Sequence, residues 1–181
     1  MDTLSRLAGR LDQLSEWTGR SIAWLTLGMV IVTFTVVVLR YLFNIGWIAM
    51  QESVTYMHAL VFMLGAAYTL RHDGHVRVDI FYQKFGPRGR AWVDLFGTLL
   101  LLMPVTLFIT WISWEYVASS WALQEGSRET GGLPGVYLLK TAIPLMAVLM
   151  VLQGTSLALR SLLVLLGHEE DAPAHDPSTE V

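Results

Sequence analysis

The chain has 181 residues, of which 54% are hydrophobic and 15% charged, with a formal net charge of −3 and no cysteine. Soluble domains carry roughly 25% charged residues, so a water-soluble globule and a nucleic-acid binder are both poor fits. Without cysteine neither a disulfide nor a thiolate metal site can form.

Four runs without Asp, Glu, Lys or Arg, at 21–39, 53–70, 95–114 and 141–159, set the fold class. As a helix each is roughly 27–30 Å long, about the thickness of the hydrocarbon layer. A soluble four-helix bundle would show polar outer stripes, and these runs do not. The expectation is an all-α integral membrane protein. It has four transmembrane helices with both termini on the cytoplasmic side, preceded by an interfacial amphipathic helix. Its parts are an arm at 1–20, a membrane domain at 21–160, and a helix end with a disordered acidic tail at 161–181.

In the arm, Leu4, Leu7, Leu11 and Leu14 recur at spacings of three and four, with Arg6, Arg10, Asp12 and Glu16 between them. This predicts about four helical turns ending near Gly19, lying in the headgroup plane with Trp17 at interfacial depth. A two-heptad coiled-coil seam has the same spacing but is short. No apolar signal-peptide region interrupts the charged arm, so insertion is expected to begin with the first span.

The first connection breaks at Asn44-Ile-Gly46 and keeps Trp47, Ile48 and Met50 apolar. Arg40 and Glu52 stand at its two ends, and a charge pair across the hairpin is favoured over separate snorkelling to headgroups. In the second span His58 is the one strongly polar ionisable side chain, and it reads as a packing residue rather than a ligand. Gly65-Ala66-Ala67 is a small-residue face for a close helix, within this chain or in another.

After the second span come His72, Asp73, Gly74, His75, Arg77 and Asp79. Val78, Phe81, Tyr82 and Phe85 follow helical spacing, which predicts a short amphipathic helix stopping at Gly86-Pro87. The histidines are too few for a metal site, and none is assigned. The third span contains Pro104, where a bend is expected. Trp111, Trp114 and Trp121 mark an aromatic belt, with Glu115 reaching water among them. Residues 124–132 read as a flexible exposed loop, and 133–140 lead into the fourth span.

Lys and Arg are unevenly shared. Arg6, Arg10, Arg20, Arg71, Arg77, Lys84, Arg88, Arg90 and Arg160 fall on one side, and Arg40, Arg128 and Lys140 on the other. The positive-inside rule puts the richer side in the cytoplasm.

No catalytic set is present, and the protein is not expected to be an enzyme. A Walker loop and a dinucleotide fingerprint are both absent. A haem-binding electron-transfer anchor needs two facing histidines at depth, and a small multidrug carrier needs an acid or a broken helix near the midplane. Both remain alternatives to a small integral subunit that packs against something larger. No cofactor is called for.

Arg40-Tyr-Leu-Phe-Asn44, Glu52, Gly65-Ala-Ala-Tyr68, Arg71 and His75-Val-Arg-Val-Asp79 resemble the small membrane (Q-type) subunit of tripartite ATP-independent periplasmic (TRAP) transporters. Gly132-Leu-Pro134, Lys140, Pro144 and Gln153 extend the resemblance, which covers roughly residues 20 to 160. It implies a multi-pass protein of the bacterial inner membrane that serves as a scaffold. The implied partners are a large multi-span subunit holding the substrate and sodium sites, a periplasmic substrate-binding protein that delivers an organic acid, and membrane lipids. On that basis Arg40, Glu52, Gly65, His75, Arg77 and Asp79 are candidate subunit-interface or structural anchors. Arg128 and Glu129 are candidates for docking the binding protein.

Overall fold

The computed structural model describes residues 2–75, 82 and 84–167. Every regular element among them is helical. Four helical stretches are long and apolar enough to cross a bilayer: Thr3–Leu42, Ile48–Arg71, Pro87–Ala122 and Val136–Leu165. The charge-free runs predict these four spans.

Helix α1 (Asp2–Leu42) has 41 residues, so it is roughly 60 Å long, about twice the hydrocarbon thickness. It does not stop at Gly19. Gly19 is buried, and a Cβ built there would fall inside the space of the Tyr68 ring. The glycine serves a close helix crossing rather than a chain break. The arm is therefore continuous with the first span, and it packs on the bundle through one face. Ala8, Asp12, Ser15 and Gly19 form the buried face, while Leu7, Leu14 and Trp17 are exposed. The leucine stripe turns outward and the small and polar residues turn in. The helix is fastened to the bundle by its small and polar face, and the break expected near Gly19 is replaced by one continuous helix.

Helix α1 ends where Asn44 takes a left-handed conformation (φ 55°) and the Ile45 N–H bonds back to the Leu39 carbonyl at 2.9 Å. Asn tolerates that region because its short side chain can bond locally. Helix α2 (Ile48–Arg71) ends in a Schellman motif around Asp73 (φ 53°). There Gly74 N–H bonds to Thr69 O at 2.9 Å and Asp73 N–H to Leu70 O at 3.3 Å.

The third span is composite. Helix α3 (Pro87–Gly97) passes into a π-helical turn, Thr98–Leu102, and then into α4 (Met103–Ala122). Proline lacks the N–H that an α-helix uses and crowds the carbonyl four residues back. The wider turn, with Met103 N–H bonded to Thr98 O, absorbs that misfit just before Pro104. Helix α4 ends in a second Schellman motif around Gln124 (φ 47°), through Glu125 N–H to Ser120 O and Gln124 N–H to Trp121 O. Helix α5 (Val136–Leu165) touches α1, α2, α3 and α4 and forms the middle of the bundle. Its buried residues are mostly small or polar, Ala142, Ala147, Gln153, Gly154, Ser156 and Ser161, with Leu149, Leu163 and Val164 among them. Without a hydrophobic drive between helices in lipid, close approach through such residues supplies the packing. Hydroxyls of Thr35, Thr69, Thr106, Thr110, Thr141 and Thr155 each bond a carbonyl one turn back and so leave no open donor.

Candidate functional site: polar clusters at the two ends of the bundle

At the end where the chain begins, Asp12 on α1 is only 6% exposed. A buried carboxylate must be paired and hydrogen-bonded, and α5 supplies the partners. Gln153, Ser156 and Arg160 lie at i, i+3 and i+7, which places them on one helix face. Ser156 Oγ donates to Asp12 Oδ1 at 2.6 Å, Gln153 Nε2 donates to the same oxygen at 3.0 Å, and Arg160 Nε donates to Oδ2 at 3.0 Å. Arg160 also forms an ion pair with Oδ2 through Nη2. Ser15 Oγ donates to Gln153 Oε1 at 2.6 Å, closing the set.

One turn along, Glu16 gathers a second group of donors. Arg71 Nη1 reaches its Oε2 at 2.8 Å and also the Asp12 carbonyl at 2.7 Å. His72 Nε2 lies 2.9 Å from the same Oε2, and Arg20 Nε pairs with Oε1 at 2.6 Å. A cleft of about 200 Å³ opens beside these groups, lined by Asp12, Leu70, Arg71, Asp73, Gln153, Leu157 and Arg160. Asp12, Glu16 and Arg160 are thus the central residues of a site that the sequence reading passed over. The available signal was the one-face spacing of Gln153, Ser156 and Arg160 opposite that of Asp12 and Ser15.

The opposite end is held by a clamp. Glu52 on α2 accepts the Ser127 hydroxyl at Oε1 and the Leu133 N–H at Oε2, the latter at 2.7 Å. Glu52 and Arg40 form no ion pair. The carboxylate is taken by the connection between α4 and α5, while Arg40 is exposed. The expected pair across the first hairpin is therefore replaced by a tie to a different loop. Lys140 Nζ donates to Glu125 Oε2 at 2.5 Å and sits over the Tyr116 ring, 3.9 Å from its centroid. Ser120 Oγ adds a bond to Glu125 Oε2 at 2.6 Å. These two donors, the lysine first, hold the Glu125 carboxyl below its usual value. Ser127 N–H to Leu133 O at 2.9 Å closes the loop on itself. Residues 124–132 are accordingly fastened rather than a free loop: 125–127 and 132 are half-buried, while Gln124 and the tip 128–131 are exposed. Glu129 N–H donates to Ser127 Oγ at 3.1 Å, so Arg128 and Glu129 stand directly above the Glu52 tie.

The other candidate residues do not gather. Gly65 packs within the chain, where an added Cβ would meet Ile22 at an ordinary 3.6 Å, and Ala67 is buried. His75 is exposed, with Nε2 3.2 Å from the Ala66 carbonyl. Arg77 and Asp79, and most of the helix expected before Gly86, lie outside the described residues. His58 is exposed on α2 and stacks on Phe62 at 6.4 Å between ring centroids.

Among known proteins, the family model for tripartite ATP-independent periplasmic transporters, DctQ component, matches residues 29–164. A curated protein of Haemophilus influenzae, named "Putative TRAP transporter small permease protein", is 30% identical over 96 residues. The matched stretch is 52% of this chain and 60% of that protein, so the chain spans less than two thirds of the relative's length. No solved structure matches. The family match runs from the first span to the end of the fourth, and the chain belongs to the DctQ component family of tripartite ATP-independent periplasmic transporters.

Proposed function

We propose that the protein is the small permease subunit of a TRAP transporter, a scaffold that braces a large transport subunit during sodium-coupled uptake of an organic acid. In this reading a periplasmic binding protein delivers the acid, and the protein lies in the bacterial inner membrane with both termini in the cytoplasm. The Asp12 cluster then sits at the cytoplasmic surface, where the richer share of Lys and Arg falls. The Glu52 and Glu125 clamp faces the periplasm, and its exposed tip offers Arg128 and Glu129 to the binding protein. His75, Arg77 and Asp79 meet headgroups at the inner surface.

The observation that carries the reading is where the charges lie. Ion pairs among the described residues sit at the two ends of the bundle, and the spans between them hold none. A bundle whose ion pairs lie at its ends is suited to bracing a neighbour, whereas carriers gather their substrate and ion sites near the midplane. Deleting the chain should abolish uptake of labelled substrate by cells while the periplasmic protein still binds it. Full sodium-driven uptake by the large subunit alone would overturn the scaffold role.

A further inference from the structure

Along α2, Gln51, Thr55, His58 and Phe62 are all exposed, and their spacing of four, three and four puts them within one narrow face. One turn further on the face closes, since Ile22 of α1 lies against Gly65. His58 is ten residues from the start of α2 and thirteen from its end, roughly 15 and 20 Å along the axis. The imidazole therefore sits near the middle of the span. Its ring nitrogens have no hydrogen-bond partner among the described residues, and its contact is the stacked Phe62 ring, itself 74% exposed. Thr55 differs from the six threonines that bond a carbonyl one turn back, because its hydroxyl makes no such bond.

Hydrocarbon cannot satisfy these groups. A polar side chain facing lipid at depth is costly, and such residues characteristically face another helix. One exposed stripe of α1 shows the contrast: Trp24, Leu27, Ile31 and Phe34 are apolar and lipid covers them without penalty. We infer that the Gln51–Thr55–His58–Phe62 stripe is the seam on which a transmembrane helix of the large subunit packs, with a hydrogen-bonding side chain or an open backbone carbonyl opposite His58. This rests on the scaffold reading and names its contact surface. A polar stripe bordered by an aromatic ring suits a helix with small residues for close approach and one polar residue for register. The partner side chain accepts from or donates to the imidazole and removes its open valence from lipid.

The test is photocrosslinking in native membranes. A benzophenone amino acid is placed singly at Gln51, Thr55, His58 or Phe62, and as controls at Leu27 and Phe34 on α1. The stripe positions should give an adduct of the size of this chain plus the large subunit, at least several-fold above the controls. Adducts between two copies of this chain, or none from the stripe while the two subunits still co-purify, would refute the seam and leave the scaffold role standing. Loss of co-purification by the unsubstituted chain would instead refute the scaffold role itself. A second readout uses His58→Phe and His58→Asn. The phenylalanine should lower recovery of the complex about three- to tenfold, the range expected for one interhelical hydrogen bond. Asparagine, which keeps a donor and an acceptor, should restore most of it. Equal recovery from both variants and the parent would count against a hydrogen bond at this position.

Discussion

Three donors from one face of α5 converge on the Asp12 carboxylate, and a fourth contact from Arg160 completes its pairing. Removing one partner of such a pair leaves the other short of solvation, so single changes cost more than the pair is worth. Asp12→Ala and Arg160→Ala should each lower the unfolding temperature in detergent, with a coupling of roughly 0.5–3 kcal/mol in the double-mutant cycle. Strict additivity would show that the two side chains act separately. At the other end the Glu125 carboxyl is held below the usual value of 4.5 by Lys140 and Ser120. A depressed folded value means that the stabilisation is full above the unfolded value and fades as pH falls through the folded one. The parent should therefore be more thermostable than Glu125→Gln near neutral pH, and the difference should vanish well below pH 4.5. A margin unchanged down to pH 3 would exclude this titration as its source. Neither cluster was legible residue by residue. Asp12 read as one more polar position on a surface helix, because nothing local marks a partner 148 residues away.

Glycines show how elements are joined, and two of them make opposite predictions. A Cβ at Gly19 would overlap the Tyr68 ring, which itself packs on His72 with ring centroids 4.4 Å apart. Gly19→Ala must push that ring away, loosening the α1–α2 crossing and moving His72 from Glu16. The expected cost is about 1–3 kcal/mol, as for other overpacked sites. Gly97, at the end of α3, has open space where a Cβ would go and ordinary helical geometry (φ −58°). Gly97→Ala should be neutral or stabilise by up to about 1 kcal/mol through helix propensity. Thermal unfolding of both variants in one detergent decides this, and the prediction fails if Gly19→Ala is the more stable. The spans themselves were legible, because hydrocarbon imposes both a length and an absence of charge that can be counted along a sequence. The end of the arm was misread. Gly19 read as a helix end because glycine usually stops a helix, whereas here it admits the Tyr68 ring, and nothing local shows that Asp12 and Ser15 take a helix contact.

At the scale of the whole molecule, the ion pairs among the described residues pin the bundle at its two ends. The sequence showed Arg40 and Glu52 as neighbours across a hairpin, while Glu52 is bound by a loop about eighty residues further on, |i−j| = 81 for Leu133. Such choices depend on how antiparallel hairpins stack, which no local pattern encodes. The long reach from Asp12 to Gln153, Ser156 and Arg160 also orders events during synthesis. At typical elongation rates the first helix waits on the order of ten seconds before its last partners leave the ribosome. Through that interval the Asp12 carboxylate and the Ser15 hydroxyl stay hydrated and uncommitted. Only a chain that has threaded its fourth span in the correct direction can close them. The contact between the first and last helices therefore acts as a completion seal: a truncated or inverted product is left with open charge at its surface, in a form that membrane quality control can read.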